Sequence, residues 1–266
     1  MTAKFKSAVK LWMLKRLKVS PPYTFITSNS IKEQRLSFAT NNRVYEVITD
    51  NSTPLYEMIT EITDYDCYQL FELRRMNSTA KIIVDIGANV GIATMALSEF
   101  PGSRVFAFEP VRANCEYFRA NMATNRITNV TLFPYAVTDK DAVVSLEMDP
   151  SQSVSAHIGR GGAVQSGMKN IEVESISVHT LFDLLKSDNI DVLKMDCEGG
   201  EYEIVRQLAR EPNLTVRAMT MEIHDQSKEN NLKSMTGLLK QIGYRISYRP
   251  EMFGRTGLHH VLATRQ

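Results

Sequence analysis

From residue 80 to the C-terminus, short apolar runs alternate with stretches whose apolar residues recur at helical spacing. Such runs, bounded by glycine and polar residues, read as strands buried on both faces, and the alternation is that of βαβ units. The pattern predicts strands at Lys81–Ile86, Arg104–Phe108, Val130–Phe133, Ile190–Met195 and Arg217–Ile223, then two more near Tyr244–Tyr248 and Leu258–Thr264. Helices are expected over Gly91–Phe100, along the stripe Val111, Cys115, Phe118 and Met122, and over His179–Leu185 and Glu201–Arg210. One more follows Leu232, Met235, Leu238, Leu239 and Ile242, and ends at Gly243. Residues 142–148 and 171–176 read as short antiparallel strands, with the polar stretch Ser151–Gly167 between them as a mobile loop. The sum is a Rossmann-like α/β domain over 80–266, a mostly parallel seven-stranded sheet with helices on both faces.

The first 79 residues read differently, as a helical and irregular cap segment. β-like pieces occur at Tyr23–Thr27 and Val44–Ile48, and a helical region is expected over Pro54–Arg75. Ahead of Pro21 and Pro22, six basic residues (Lys4, Lys6, Lys10, Lys15, Arg16 and Lys18) interleave with Phe5, Val9, Trp12 and Leu17. The charges break any signal-type apolar core, so a secretory leader is not expected. Residues 1–19 suit a surface helix packed on the body of the protein, or one touching an anionic membrane peripherally.

Composition narrows the class. The chain has 266 residues, 43% hydrophobic and 23% charged, with a formal net charge of +1. That balance is ordinary for a globular protein and gives no reason to expect nucleic-acid binding. No apolar run reaches the length of a membrane span. Cys67, Cys115 and Cys197 lack metal-type spacing, and an odd count with no framework favours a reducing compartment, hence the cytoplasm.

The strongest chemical signal is Val84-Asp85-Ile86-Gly87-Ala88-Asn89-Val90-Gly91, a strand feeding a glycine-containing turn that opens a helix. Glycines there allow a sharp turn and a close approach of ligand to main chain. The second strand ends in Glu109-Pro110, where an acid is placed to accept hydrogen bonds from ribose hydroxyls. Asn89 replaces the middle glycine that a pyrophosphate needs, and Asp85 would repel an anion but suit a cation. A nucleoside carrying positive charge, S-adenosyl-L-methionine, fits these features together. An NAD-linked oxidoreductase and a non-catalytic cofactor-binding module are the alternatives. Asn89 speaks against the first, and the acid and histidine residues described below against the second.

The segments VDIGANVG, FAFEP and LKMDCEGGE together resemble the FkbM family of methyltransferases. Lys194, Asp196, Glu198, Gly199 and Glu201 match that family's K-x-D-x-E-G-x-E pattern, and the resemblance covers about residues 80–264. It departs at Ser177-Val178-His179-Thr180, where such proteins often carry a Leu-Asp pair. The resemblance implies a class I methyltransferase fold with strand order 3-2-1-4-5-7-6, the last strand antiparallel. It implies that Gly87, Asn89 and Gly91 shape the cofactor turn, that Asp85 serves the amino-acid end, and that Glu109 holds the ribose. Ala136 and Val137, in the turn after the third strand, would face the adenine. The implied activity is O-methylation of a hydroxyl on a sugar, polyketide or related small-molecule or glycan acceptor.

The acceptor side is expected where the fourth strand ends in Asp196, Glu198 and Glu201 and the fifth in Glu222-Ile223-His224-Asp225. Strand alternation puts Glu222 and His224 on one side and Ile223 on the other. An alcohol needs a base, and His224 is the first candidate because its ordinary pKa lies near neutral. Asp196 or Glu198 would orient it or take the proton directly. Asp196, Glu198, Glu222 and His224 also form a donor set suited to a divalent metal, a less favoured reading. Glu201 alternatively serves the start of its helix. His259 and His260 read as structural, and His157 as part of a lid.

Overall fold

The computed structural model describes residues 33–40, 43–50, 53–148, 156–158, 169–249 and 256–265. The expected basic helix over 1–19, the strand Tyr23–Thr27, the side chain of His157 and most of the Ser151–Gly167 loop lie outside the described residues.

The described chain starts with an antiparallel hairpin of β1 (Glu33–Ala39) and β2 (Val44–Asp50). Two helices follow, α1 (Leu55–Thr63) and α2 (Leu70–Met76), where the pattern predicts a single helical region. The break comes from Asp66 and Gln69, which both take left-handed φ (47° and 53°) without being glycine. Asp66 Oδ1 accepts the Leu70 N–H at 2.5 Å and so starts α2 afresh.

Then comes the alternating core: β3 (Ile82–Ile86), α3 (Ile92–Leu97), β4 (Arg104–Phe108), α4 (Arg112–Thr124) and β5 (Val130–Phe133). An insertion of β6 (Ala136–Thr138), β7 (Ala142–Met148), β8 (Ala156–Ile158) and β9 (Lys169–Ser177) precedes the second half. That half runs α5 (Val178–Leu185), β10 (Asn189–Met195), α6 (Glu201–Arg210), β11 (Thr215–His224), α7 (Leu232–Gln241), β12 (Arg245–Arg249) and β13 (Leu258–Thr264). The seven-stranded sheet has the order β5-β4-β3-β10-β11-β13-β12, the expected 3-2-1-4-5-7-6. It is mixed, because β13 runs antiparallel to both β11 and β12.

Period-two alternation divides each central strand between two cores. Ile83, Val105, Ala107, Val192 and Ala218 face one cluster, shared with the hairpin, α1, α2, α3 and α4. Val84, Phe106, Leu193, Met219 and Ile223 face the other, shared with α5, α6 and α7. Helices therefore cover both faces. The hairpin is stitched to α4 by two asparagines one turn apart. Asn121 Oδ1 accepts the Ile48 N–H (2.8 Å) and its amide donates to the Ile48 carbonyl (3.0 Å), while Asn125 does the same for Glu46 (2.9 and 2.7 Å). These amides satisfy backbone groups of β2 that would otherwise be left as a bare sheet edge.

The insertion forms a second sheet in the order β6-β9-β7-β8. β7 and β9 pair antiparallel, as the sequence predicts. Two expectations change. Ala136 and Val137 sit in β6, paired parallel with β9, rather than in a bare turn. Ala156–Ile158 is a strand paired with β7 rather than loop. Ser177 caps α5, its hydroxyl accepting the Thr180 N–H at 3.2 Å. Among the described residues, no helix is long and apolar enough to cross a membrane.

Candidate active site

The turn after β3 is held open by backbone geometry. Gly87, Asn89 and Gly91 all take positive φ (74°, 49° and 96°). The Gly87 and Ala88 N–H groups both donate to the Phe108 carbonyl, which ties the turn to the end of β4. The glycines make the sharp turn the sequence leads one to expect, and close packing of the protein itself adds a second requirement for them. A Cβ on Gly87 would lie 1.7 Å from the Asp196 carbonyl oxygen, and one on Gly91 would lie 2.7 Å from Met122 Cε. Gly87 is thus the price of bringing the ends of β3 and β10 together.

Glu109, just past β4, is buried and accepts three hydrogen bonds, from the Asn89 N–H (2.9 Å), the Val111 N–H (2.9 Å) and the Asn114 amide (3.2 Å). Burial pushes its carboxyl up and these donors pull against it. A carboxylate has about four acceptor positions, so one side of it still has capacity for a ligand donor.

Below the turn lies a buried ion pair. Asp85 and Lys194 are register partners on β3 and β10, so their side chains leave the same face. Lys194 Nζ stands 3.1 Å from Asp85 Oδ1 and donates to the Gly87 carbonyl at 2.8 Å. The Thr94 hydroxyl donates to Asp85 Oδ2 at 2.5 Å. Burial works against the Lys194 charge, but Asp85 and then Asp196 outweigh it and hold the ammonium well above its ordinary pKa. Asp85 is fully buried and is committed to these partners, so it supports the cavity floor from beneath and does not reach the ligand space.

The opposite wall carries the acids and histidines. Asp196 Oδ2 accepts the Tyr68 hydroxyl at 2.6 Å. His224 Nε2 lies 3.4 Å from Glu198 Oε2 and 3.3 Å from Glu222 Oε1. Glu222 Oε2 is 2.8 Å from His260 Nε2 on the neighbouring strand β13. Burial alone would lower the pKa of His224, but Glu222, Glu198, Asp196 and Glu201 outweigh it and raise it to about 10. A pKa raised in this way favours the imidazolium at neutral pH and argues against the role of base that the sequence suggests for His224. Glu198 is pushed up to about 7, by burial first and by Asp196 next, with His224 opposing. Burial disfavours the Glu222 charge, yet hydrogen bonds to His224 and His260 hold its carboxyl well below the usual range. Glu201 folds back so that Oε1 accepts the Cys197 N–H at 2.8 Å, which makes it part of the start of α6.

These groups enclose a cavity of about 550 Å³, a size suited to a nucleoside-containing ligand. Gly87, Asn89, Glu109, Ala136, Val137, Asp196, Glu198, Glu222 and His224 line it, whereas Asp85 and Gly91 do not. Lining also comes from Tyr68, from Pro54 just ahead of α1, and from Glu57, Met58 and Glu61 of α1. No motif marks these positions, and Tyr68 meets Asp196 across 128 residues of chain. Among the described residues, no three His, Cys, Asp or Glu side chains converge in a cation-holding arrangement. The cavity fits S-adenosylmethionine by its chemistry: a hydrogen-bonding acid at the Glu109 end, and a carboxylate-rich wall for positive charge at the other.

A family model described as the Methyltransferase FkbM domain matches residues 85–246. Methyltransferase 1 of Beauveria bassiana (strain ARSEF 2860) is 23% identical over 187 residues, covering 64% of this chain and 74% of that protein. The AMB antimetabolite synthetase AmbE of Pseudomonas aeruginosa is 21% identical over 208 residues, covering 64% of this chain but 10% of its own length. Among solved structures, the methyltransferase FkbM from Methylobacillus flagellatus KT aligns over 70% of this chain and 44% of its own, at 18% identity and a TM-score of 0.44. S-adenosylmethionine is the cofactor. With more than half of its length matched by the family model, the chain belongs to the FkbM methyltransferase family and is an S-adenosylmethionine-dependent methyltransferase.

Proposed function

We propose that the protein methylates a hydroxyl group on a sugar, polyketide or related small-molecule or glycan acceptor, with Glu198 as the base. The observation that carries this reading is the carboxyl of Glu198 in the cavity wall, raised to about 7 and set beside the His224 cation. An unactivated alcohol needs a proton acceptor as it attacks, and a group poised near the working pH serves best. When bound, S-adenosylmethionine supplies a sulfonium methyl whose leaving group, a neutral thioether, needs no acid.

In this reading Glu109 accepts from the ribose hydroxyls, the Gly87–Asn89 turn lies along the cofactor, and Ala136 and Val137 stand beside the adenine. Asp196 faces positive charge. Glu198 takes the acceptor's hydroxyl proton, and His224 stays protonated, orienting Glu198 while Glu222 and His260 hold it from behind. Asp85 acts through Lys194. Residues of α1 shape the acceptor's side of the cavity. Three free cysteines suit the cytoplasm as the working compartment.

The reading is tested by incubating the protein with methyl-labelled S-adenosylmethionine and panels of glycosides, polyketide alcohols and amines, then locating the label by mass spectrometry. Label on oxygen, lost in Glu198→Gln, is expected. Label on nitrogen, carbon or sulfur, or an undiminished Glu198→Gln rate, contradicts it.

A further inference from the structure

We infer that Tyr68, contributed by the segment ahead of the matched family region, is a positioning residue of the cofactor cavity: its hydroxyl holds Asp196 with one carboxylate oxygen turned to the cofactor's cationic end. This rests on the cofactor reading given above and extends it to residues outside 85–246.

Tyr68 lies in the break between α1 and α2 and is anchored on four sides. Its hydroxyl donates to Asp196 Oδ2 at 2.6 Å, and its carbonyl accepts the Thr220 hydroxyl of β11 at 2.7 Å. The Lys194 ammonium sits 5.2 Å from its ring centroid, and the His260 ring meets it edge-on at 6.2 Å. A residue whose backbone is tied to β11 and whose side chain is held by the end of β10 and by β13 has little freedom to move. Asp196 has the opposite character: its side chain is 26% exposed and lines the cavity. Oδ2 is taken by Tyr68, while Oδ1 has no hydrogen bond among the described residues.

The sheet order sets where Asp196 stands relative to the ribose end of the cavity. Glu109 follows β4 and Asp196 follows β10, with β3 between them. Two strand spacings separate them by about 10 Å. A ribose held at Glu109 therefore leaves the sulfonium and ammonium groups to extend over the β3 turn toward Asp196. A carboxylate that could rotate would have to be ordered when the ligand binds, at an entropic cost. Tyr68 fixes its plane beforehand, so the charge is presented without that cost.

The test is calorimetric, with two probes: S-adenosylmethionine, and 5′-methylthioadenosine, which keeps the nucleoside but lacks both cationic groups. Tyr68→Phe keeps the ring against Lys194 and His260, and its melting temperature checks the fold. It should weaken S-adenosylmethionine about tenfold, the size of one charge-assisted hydrogen bond, and methylthioadenosine less than about twofold. In an Asp196→Asn background the same substitution should add less than about twofold, because the two residues act as one unit. Wild-type affinity for S-adenosylmethionine in Tyr68→Phe, equal loss of both probes, or a fully additive double variant overturns the inference. A wild-type protein that binds neither probe overturns the cofactor reading itself and the inference with it.

Discussion

The imidazole of His224 faces Glu222, Glu198, Asp196 and Glu201, and the charge it carries follows from that company. A residue type chosen for its near-neutral ordinary pKa is displaced from the role of base by neighbours that the residue type does not reveal. Burial first and the Asp196 charge next raise Glu198 as well, to about 7, which in an acid disfavours the charged form. Each group is held away from its ordinary value by the fold, which is why the proposed base is Glu198 and not His224. The sign of their coupling is fixed: the His224 cation favours the charged form of Glu198 and lowers its pKa. Removing that cation must therefore raise it. Carbon-13 titration of the labelled glutamate carboxyls should give a Glu198 midpoint near 7, shifted upward in His224→Asn. The base form, and with it the methylation rate, should grow as pH rises through that midpoint. A midpoint near the ordinary glutamate value of about 4.3, or none that moves in His224→Asn, contradicts this account of the wall.

At the scale of elements, the junction of β3 and β10 organises the site. Gly87 allows the Asp196 carbonyl to approach, and Lys194 clamps the turn from below through Asp85 and the Gly87 carbonyl. Lys194→Met would leave the Asp85 charge buried without its partner, which costs about 3–5 kcal/mol. Denaturant unfolding should show that loss, and Lys194→Met with Asp85→Leu should recover most of it, because two apolar groups replace the pair. A single Lys194→Met variant as stable as the wild type contradicts the clamp. Several strands of the same sheet were readable beforehand: β4, β5 and β13 begin and end where the sequence pattern places them, and β4 and β13 are buried along most of their length, which calls for largely apolar runs. The break at Asp66 and Gln69 was not readable, since neither is the glycine that usually marks left-handed backbone. The strand Ala156–Ile158 owes its existence to a partner, Leu146–Met148, supplied from elsewhere in the chain. No local pattern encodes that pairing.

For the whole molecule, what the sequence concealed is contact across distance. The cofactor half of the cavity comes from contiguous motifs, and Gly87, Asn89 and Glu109 line it together. The other half is assembled from β10, β11 and the segment before residue 80, which shares one hydrophobic core with β3 and β4. Tyr68 and Pro54, Glu57, Met58 and Glu61 become cavity lining only once that core forms. Asp85 shows the reverse: its position in the motif suggested a ligand contact, and burial against Lys194 turned it into support. The central claim for the assembled cavity is that it holds S-adenosylmethionine with its ribose at Glu109. Isothermal calorimetry of that compound against the wild type and a folded Glu109→Ala variant tests it most directly. Saturable binding by the wild type, lost in Glu109→Ala, is the predicted result; equal affinity in the two proteins would contradict it.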